Sequence, residues 1–232
     1  MNLNNPAARL YEFLMRARAY PKDRKSREVL YELLDTENDG DLFERFGQLR
    51  KLVDEIAEEN SRQGFTGRFT TYWVGPVQRA FQNVHFSGTW NTFIDSLDET
   101  AIMFLESTVD ILNERIVKLE EEDLENYRAR LNEILEKVLA SNESEEFKIY
   151  FKNSVGKIID TLDNYKITGD KALFSAFNEA VGGMVTDENL RTQADRSDFI
   201  KKAFAVLKSG LDLASKMKGA SEAISYFQDK IQ

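Results

Sequence analysis

Apolar residues recur at intervals of three and four along most of this 232-residue chain. That is the period of a helix with one buried stripe, not the alternation of a half-buried strand. Helix breakers are scarce to match, with three prolines and 12 glycines against an average usage of about 5% and 7%. The expected fold is all-α: an antiparallel multi-helix bundle. The regular spacing lapses near residues 60–94, where an aromatic, glycine-containing irregular segment is expected.

The helix boundaries follow from caps and breakers. Asn5 before Pro6 reads as an N-cap with proline in the first turn, and Leu10, Phe13, Leu14 and Ala17 follow at helical spacing until Pro21 stops them. Ser26 is placed to cap a second helix carrying Val29, Leu30, Leu33 and Leu34. Asp41 with Glu44 resembles a capping box for a third, carrying Leu42, Phe46, Leu49, Val53 and Ile56. A long helix is expected to begin at Ser87 or Thr89 and to run past Phe93, Leu97, Ala101, Leu105 and Leu112 to Leu119. Further stripes run from Leu124 to Val138 and from Phe147 to Tyr165. A turn at Thr168, Gly169 and Asp170 then leads into Leu173, Phe177 and Val181, and Gly182 and Gly183 are expected to end that helix in the left-handed conformation. Thr186 to Ser197 is polar. The division expected is a single helical domain over 1–198 and a C-terminal helix over 199–232. That last segment holds six lysines against three acids and many small residues, which suits packing on the bundle or self-association.

Composition narrows the chemistry. The chain has no cysteine, so disulfides, thiolate metal sites and cysteine nucleophiles are excluded. It has one histidine, His85, too few for a multi-imidazole metal site in one chain. The net charge of −9 argues against a nucleic-acid binder at the level of the whole chain. Residues 106–146 hold 13 acids against five bases, so the negative charge is concentrated there. A run of that kind usually lines a solvated helix face or a turn between helices. The opening MNLNNPAARLYEF carries no leader pattern, and no 18-residue apolar run occurs, so a cytoplasmic protein without a transmembrane segment is expected.

The most unusual window is 60–94. It contains no acid in 35 residues, where overall composition predicts about six. It also holds both tryptophans, the histidine, three arginines and many aromatic rings. Arginine interleaved with rings makes protein-interface hot spots and stacks on nucleotides. The plain alternative is an aromatic plug packed across helix ends. The candidate binding residues are Arg68, Tyr72, Trp73, Arg79, His85 and Trp90. His85, between Val84 and Phe86, is expected to be a buried, hydrogen-bonded imidazole.

Residues 35–46, DTENDGDLFERF, imitate a calcium loop but place Phe46 where the bidentate glutamate belongs. A glycine turn before a capped helix is the better reading. GFTGRF at 64–69 lacks the lysine–serine pair of a phosphate-binding loop. No catalytic residue, metal or cofactor is expected.

Three blocks, NNPAARLYEFLMRA, SGTWNTFIDSLDET and IIDTLDNYKITGDKALFSAFNEAVGG, resemble a group of bacterial helical proteins of similar length that has no assigned activity. The resemblance implies a bacterial, helical, stand-alone protein, carried on mobile or defence-associated loci, and it brings no functional residues. The function expected from the residues is a non-enzymatic interaction or regulatory module that uses the 60–94 segment on a protein partner or in self-association. Two alternatives are a sensor of a small anionic ligand or nucleotide, as in phage defence, and a membrane-active effector acting through the C-terminal helix.

Overall fold

The computed structural model describes residues 1–116 and 118–217. Among these it is all-helical, with no strand. The chain divides into two compact units, with the boundary after Lys118. That boundary falls inside the acidic run, whose charges are shared between the end of one unit and the start of the next.

The first unit begins with α1 (Pro6–Arg18), α2 (Ser26–Leu34) and α3 (Asp39–Arg62). The Asn5 side-chain oxygen accepts from the backbone N–H groups of Ala7 and Ala8 at 2.9 and 3.3 Å, satisfying donors that a helix start leaves open. Its amide nitrogen donates to the Val109 carbonyl at 3.0 Å and to Asn113 at 2.9 Å. One residue thus caps α1 and ties it to a segment a hundred residues away. Two of the expected caps move. Lys25, not Ser26, precedes α2, and Asn38 caps α3 by accepting from the Asp41 N–H. In the calcium-like loop the Asp39 carboxylate is engaged, accepting from Tyr31 at 2.7 Å and Arg27 at 3.0 Å.

The irregular segment proves to contain three short helices: α4 (Arg68–Thr71), α5 (Val74–Asn83) and α6 (Asn91–Ile94). Pro76 sits near the start of α5, where its missing N–H breaks no helical bond. α7 (Glu99–Asn113) then begins at Asp98, whose carboxylate accepts from the Ala101 N–H at 2.6 Å. The single long helix expected from Ser87 or Thr89 to Leu119 is therefore two helices. Trp90 and Phe93 bury themselves and turn the chain, and a new cap starts the next helix.

Aromatic rings form the core of this unit. Trp90 stacks on Phe93 at 4.6 Å between centroids, Phe81 meets Phe93 edge-on at 5.4 Å, and Phe13 reaches both Phe81 and Phe93. Offset and edge-on arrangements of this kind add to the burial of the rings.

The second unit comprises α8 (Glu121–Leu139), α9 (Glu145–Asp163), α10 (Tyr165–Thr186), α11 (Glu188–Arg196) and α12 (Asp198–Met217). The acidic EEED run is a helix start. Glu120 and Asp123 make a reciprocal capping box, and negative charge is favoured at a helix N-terminus. α10 packs on both α9 and α12 and is kinked at Gly169, whose φ of 70° and ψ of −166° lie outside helical space. The expected turn is there, but helix resumes on both sides of it.

Gly182 and Gly183 do not end α10, which runs on to Thr186. Gly183 permits close approach instead, since a Cβ there would lie 2.7 Å from the Tyr150 hydroxyl. The polar stretch after Thr186 is helical as α11. α12 is firmly packed as far as it is described, with Ile200, Ala203, Leu207, Leu211 and Ala214 buried. Residues 218–232 of the expected C-terminal helix lie outside the described residues.

Candidate functional site

The acid-free window splits into a buried half and an exposed half. Both tryptophans belong to the buried half, each at 0% exposure. The Trp90 Nε1–H donates to the Ala17 carbonyl at 2.8 Å, so its one polar group is satisfied inside the unit. Trp73 Nε1 is buried with no hydrogen-bond partner among the described residues. Neither indole can meet a partner at the surface, which corrects the expectation that Trp73 and Trp90 form the contact. Burying two rings of this size contributes more than displaying them.

The exposed half is built on α4, α5 and the loop after α5. Tyr72 is 45% exposed, and its ring is propped edge-on against Phe104 of α7 at 5.3 Å. Arg79 is exposed, makes no ion pair among the described residues, and reaches back over Gly75 one turn earlier in α5. Elsewhere in this unit, the Arg115 guanidinium lies over the Phe65 ring at 5.5 Å. The α4 backbone includes Arg68, whose side chain lies outside the described residues. The absence of acids has a structural meaning here, because a cation and a half-exposed phenol stand on a surface whose own segment offers them no carboxylate.

His85 is also exposed, contrary to the buried imidazole expected from its apolar neighbours. Val84 is buried and Phe86 half-buried, so the local alternation carries His85 outward. The loop that bears it is anchored at both ends. The His85 N–H donates to Thr92 Oγ1 at 3.1 Å, and Ser26 N–H donates to the Gly88 carbonyl at 3.0 Å. Trp90 N–H donates to the Arg24 carbonyl at 2.8 Å.

An open groove of about 720 Å³ lies along this loop, lined by Gln82, Asn83, His85, Phe86, Asn91, Thr92 and Asp95 among others. Its polar groups are largely spent on one another. Asn83 donates to Ser96 at 3.1 Å, Thr92 donates to the Thr89 carbonyl at 3.0 Å, and Lys22 pairs with Asp95 at 2.7 Å. Trp73, Tyr72, Arg79 and Trp90 are not among the lining residues, so the six candidate residues do not converge on one pocket.

Sequence reasoning missed Phe43, which is 48% exposed and meets Phe86 edge-on at 4.9 Å. The signal was available, since Phe43 is an apolar residue lying off the Leu42, Phe46, Leu49 stripe. Among the described residues no group of three or more metal-ligating side chains occurs, and no helix is long and apolar enough to cross a membrane. In the described part of the C-terminal helix, Ile200, Ala203, Leu207, Leu211 and Ala214 are packed inward. Comparison with protein-family models, with curated proteins and with solved structures yields no match.

Proposed function

We propose that this protein is a non-catalytic interaction module whose first unit docks a protein partner through the surface bearing Tyr72 and Arg79. One observation carries the reading. A half-exposed tyrosine, held in place by Phe104, stands seven residues before an unpaired, exposed arginine in a segment without acids. Tyrosine and arginine are enriched at interface hot spots because each offers a large contact area with a directed polar tip. The partner surface that fits is one carrying a carboxylate for Arg79 and an apolar recess for the Tyr72 ring.

A photo-crosslinking amino acid placed at position 72, and at Lys152 on α9 as a control, tests the reading in cells. The expected result is a protein captured from position 72 and not from position 152, with capture lost when Arg79→Glu is added and the melting temperature unchanged. Capture that is equal from both positions, or indifferent to Arg79→Glu, would count against it.

The groove beside His85 supports a second reading, a sensor of a small polar ligand, because its volume lies within the roughly 300–1,000 Å³ of ligand pockets. Thermal-shift screening separates the two. A ligand present at about 100 times its dissociation constant adds about 2.7 kcal/mol of stability, and the shift should be lost in His85→Ala but kept in Arg79→Glu.

A further inference from the structure

The groove beside His85 is nearly neutral, and that decides what it can hold. Among the described residues no lysine or arginine lines it, and its one carboxylate, Asp95, is paired with Lys22 at 2.7 Å. Gln82 and Asn83 bring the C-terminal end of α5 to its wall, and the last carbonyls of a helix carry partial negative charge. A phosphate or carboxylate ligand therefore meets no cation free to receive it. A cationic ligand meets only a carboxylate that is already paired.

What the groove does offer is neutral donors and acceptors held in place. The Asn83 amide nitrogen donates to Ser96 Oγ at 3.1 Å, which fixes the amide and leaves its oxygen as an acceptor without a partner among the described residues. Asn91 is fixed the opposite way. Its oxygen accepts from Thr89 Oγ1 at 2.5 Å, and its N–H donors have no partner among the described residues. The exposed His85 imidazole, also without a partner among the described residues, adds one donor and one acceptor in its neutral form. The loop that carries it is closed by the Gly88 N–H, which donates to the His85 carbonyl at 2.9 Å. Phe86 supplies an apolar wall, and Phe43 and Phe46 meet its ring edge-on at 4.9 and 5.3 Å.

We propose, building on the second function put forward for this protein, that the groove is a saccharide site that takes a pyranose ring. A sugar hydroxyl both donates and accepts, and so matches a site where Asn83 presents an oxygen and Asn91 presents N–H groups. The C–H face of the sugar lies against the Phe86 ring, because C–H bonds carry slight positive charge and the face of an aromatic ring negative charge. The volume of about 720 Å³ lies within the range of small-molecule sites. Amides already fixed by bonds within the groove lose little freedom when the ligand arrives.

The single histidine of the chain makes a site-specific test, because the histidine-labelled full chain gives one imidazole signal by NMR. It is titrated in pH-matched buffer with glucose, galactose and N-acetylglucosamine as free sugars, with maltotriose and chitotriose as glycan segments, and with inorganic phosphate, pyrophosphate and citrate as anions. At least one sugar is expected to move the His85 signal saturably, and the anions are expected to leave it unmoved. Tighter binding of a trisaccharide than of its monosaccharide identifies a glycan chain as the source, and equal binding a free sugar. Asn83→Ala, at an exposed position, should weaken the sugar by about fivefold or more with the melting temperature unchanged, and Lys152→Ala in the second unit should not. Movement of the signal by an anion and by no sugar would overturn the saccharide assignment and leave the groove a ligand site. A signal that none of these compounds moves, or a sugar affinity unchanged by Asn83→Ala, would overturn the assignment as well. Only the further absence of a thermal shift with every ligand screened would remove the groove as a ligand site.

Discussion

Gly210 of α12 lies so close to Tyr127 of α8 that a Cβ on it would overlap the phenol oxygen, and the buried Phe177 ring of α10 as well. The same Tyr127 hydroxyl donates to the Val206 carbonyl at 2.6 Å, so the missing side chain lets three helices share one contact. Gly210→Ala is expected to destabilise the protein by about 1–3 kcal/mol through overpacking, read as a lower midpoint in urea. Gly182→Ala, where nothing lies within 4 Å of the new methyl, should be neutral or should stabilise by up to about 1 kcal/mol.

Trp90 is bonded and stacked inside the first unit. Trp90→Phe removes the donor to the Ala17 carbonyl and leaves a void beside Phe93, and should cost about 2–4 kcal/mol. The wild-type protein should show blue-shifted tryptophan emission with little acrylamide quenching, because both indoles are shielded. Strong quenching would mean that one of them reaches solvent.

What could be read from the sequence, and what could not, divides along a physical line. α1 is legible from a local cap and a stripe at helical spacing, and α8 and α9 from their stripes alone. The all-helical fold follows from that pattern alone. The direction in which a residue faces across the fold is not local. Gly183 resembles a helix terminator until Tyr150, more than thirty residues earlier, is found against it. Trp73 and Trp90 look like contact residues by composition, and only their burial separates a core ring from a displayed one. Arg79 and Tyr72 come from the same window and end on the surface. Three exposed apolar residues, Met15, Phe43 and Met103, each stand beside a stripe and not on it, a placement that composition hides.

Gly169 gives a separate test of the kink in α10. Its φ of 70° with ψ of −166° is a conformation essentially reserved for glycine, and a side chain forced into it costs about 1–3 kcal/mol. Gly169→Ala should lower the unfolding midpoint accordingly. Gly156→Ala in the middle of α9, with open space around the new methyl, should raise it slightly through helix propensity. If both substitutions behaved alike, the kink would not be present in solution.

Two part-buried phenols, Tyr127 and Tyr150, link the second unit's stability to alkaline pH. The Tyr127 phenol is raised above its ordinary pKa, first by burial, with the Asp212 carboxylate adding to the shift while the Ser209 hydroxyl and Arg130 oppose it. Tyr150 is raised in the same way, again mainly by burial. An acid whose folded pKa exceeds its unfolded value holds its proton longer in the folded state. The stability this contributes is fully present below the unfolded value of about 10, and it is lost as pH rises through the folded value. Stability measured by urea unfolding should therefore be flat with respect to these two groups through neutral pH and should fall steeply above about pH 10. Tyr127→Phe gives up the bond to the Val206 carbonyl and should be less stable than wild type at neutral pH by about 1 kcal/mol. Its alkaline decline should be shallower, so the two curves converge as pH rises. Parallel curves would show that Tyr127 ionises as readily folded as unfolded, and that its hydroxyl is not held between α8 and α12.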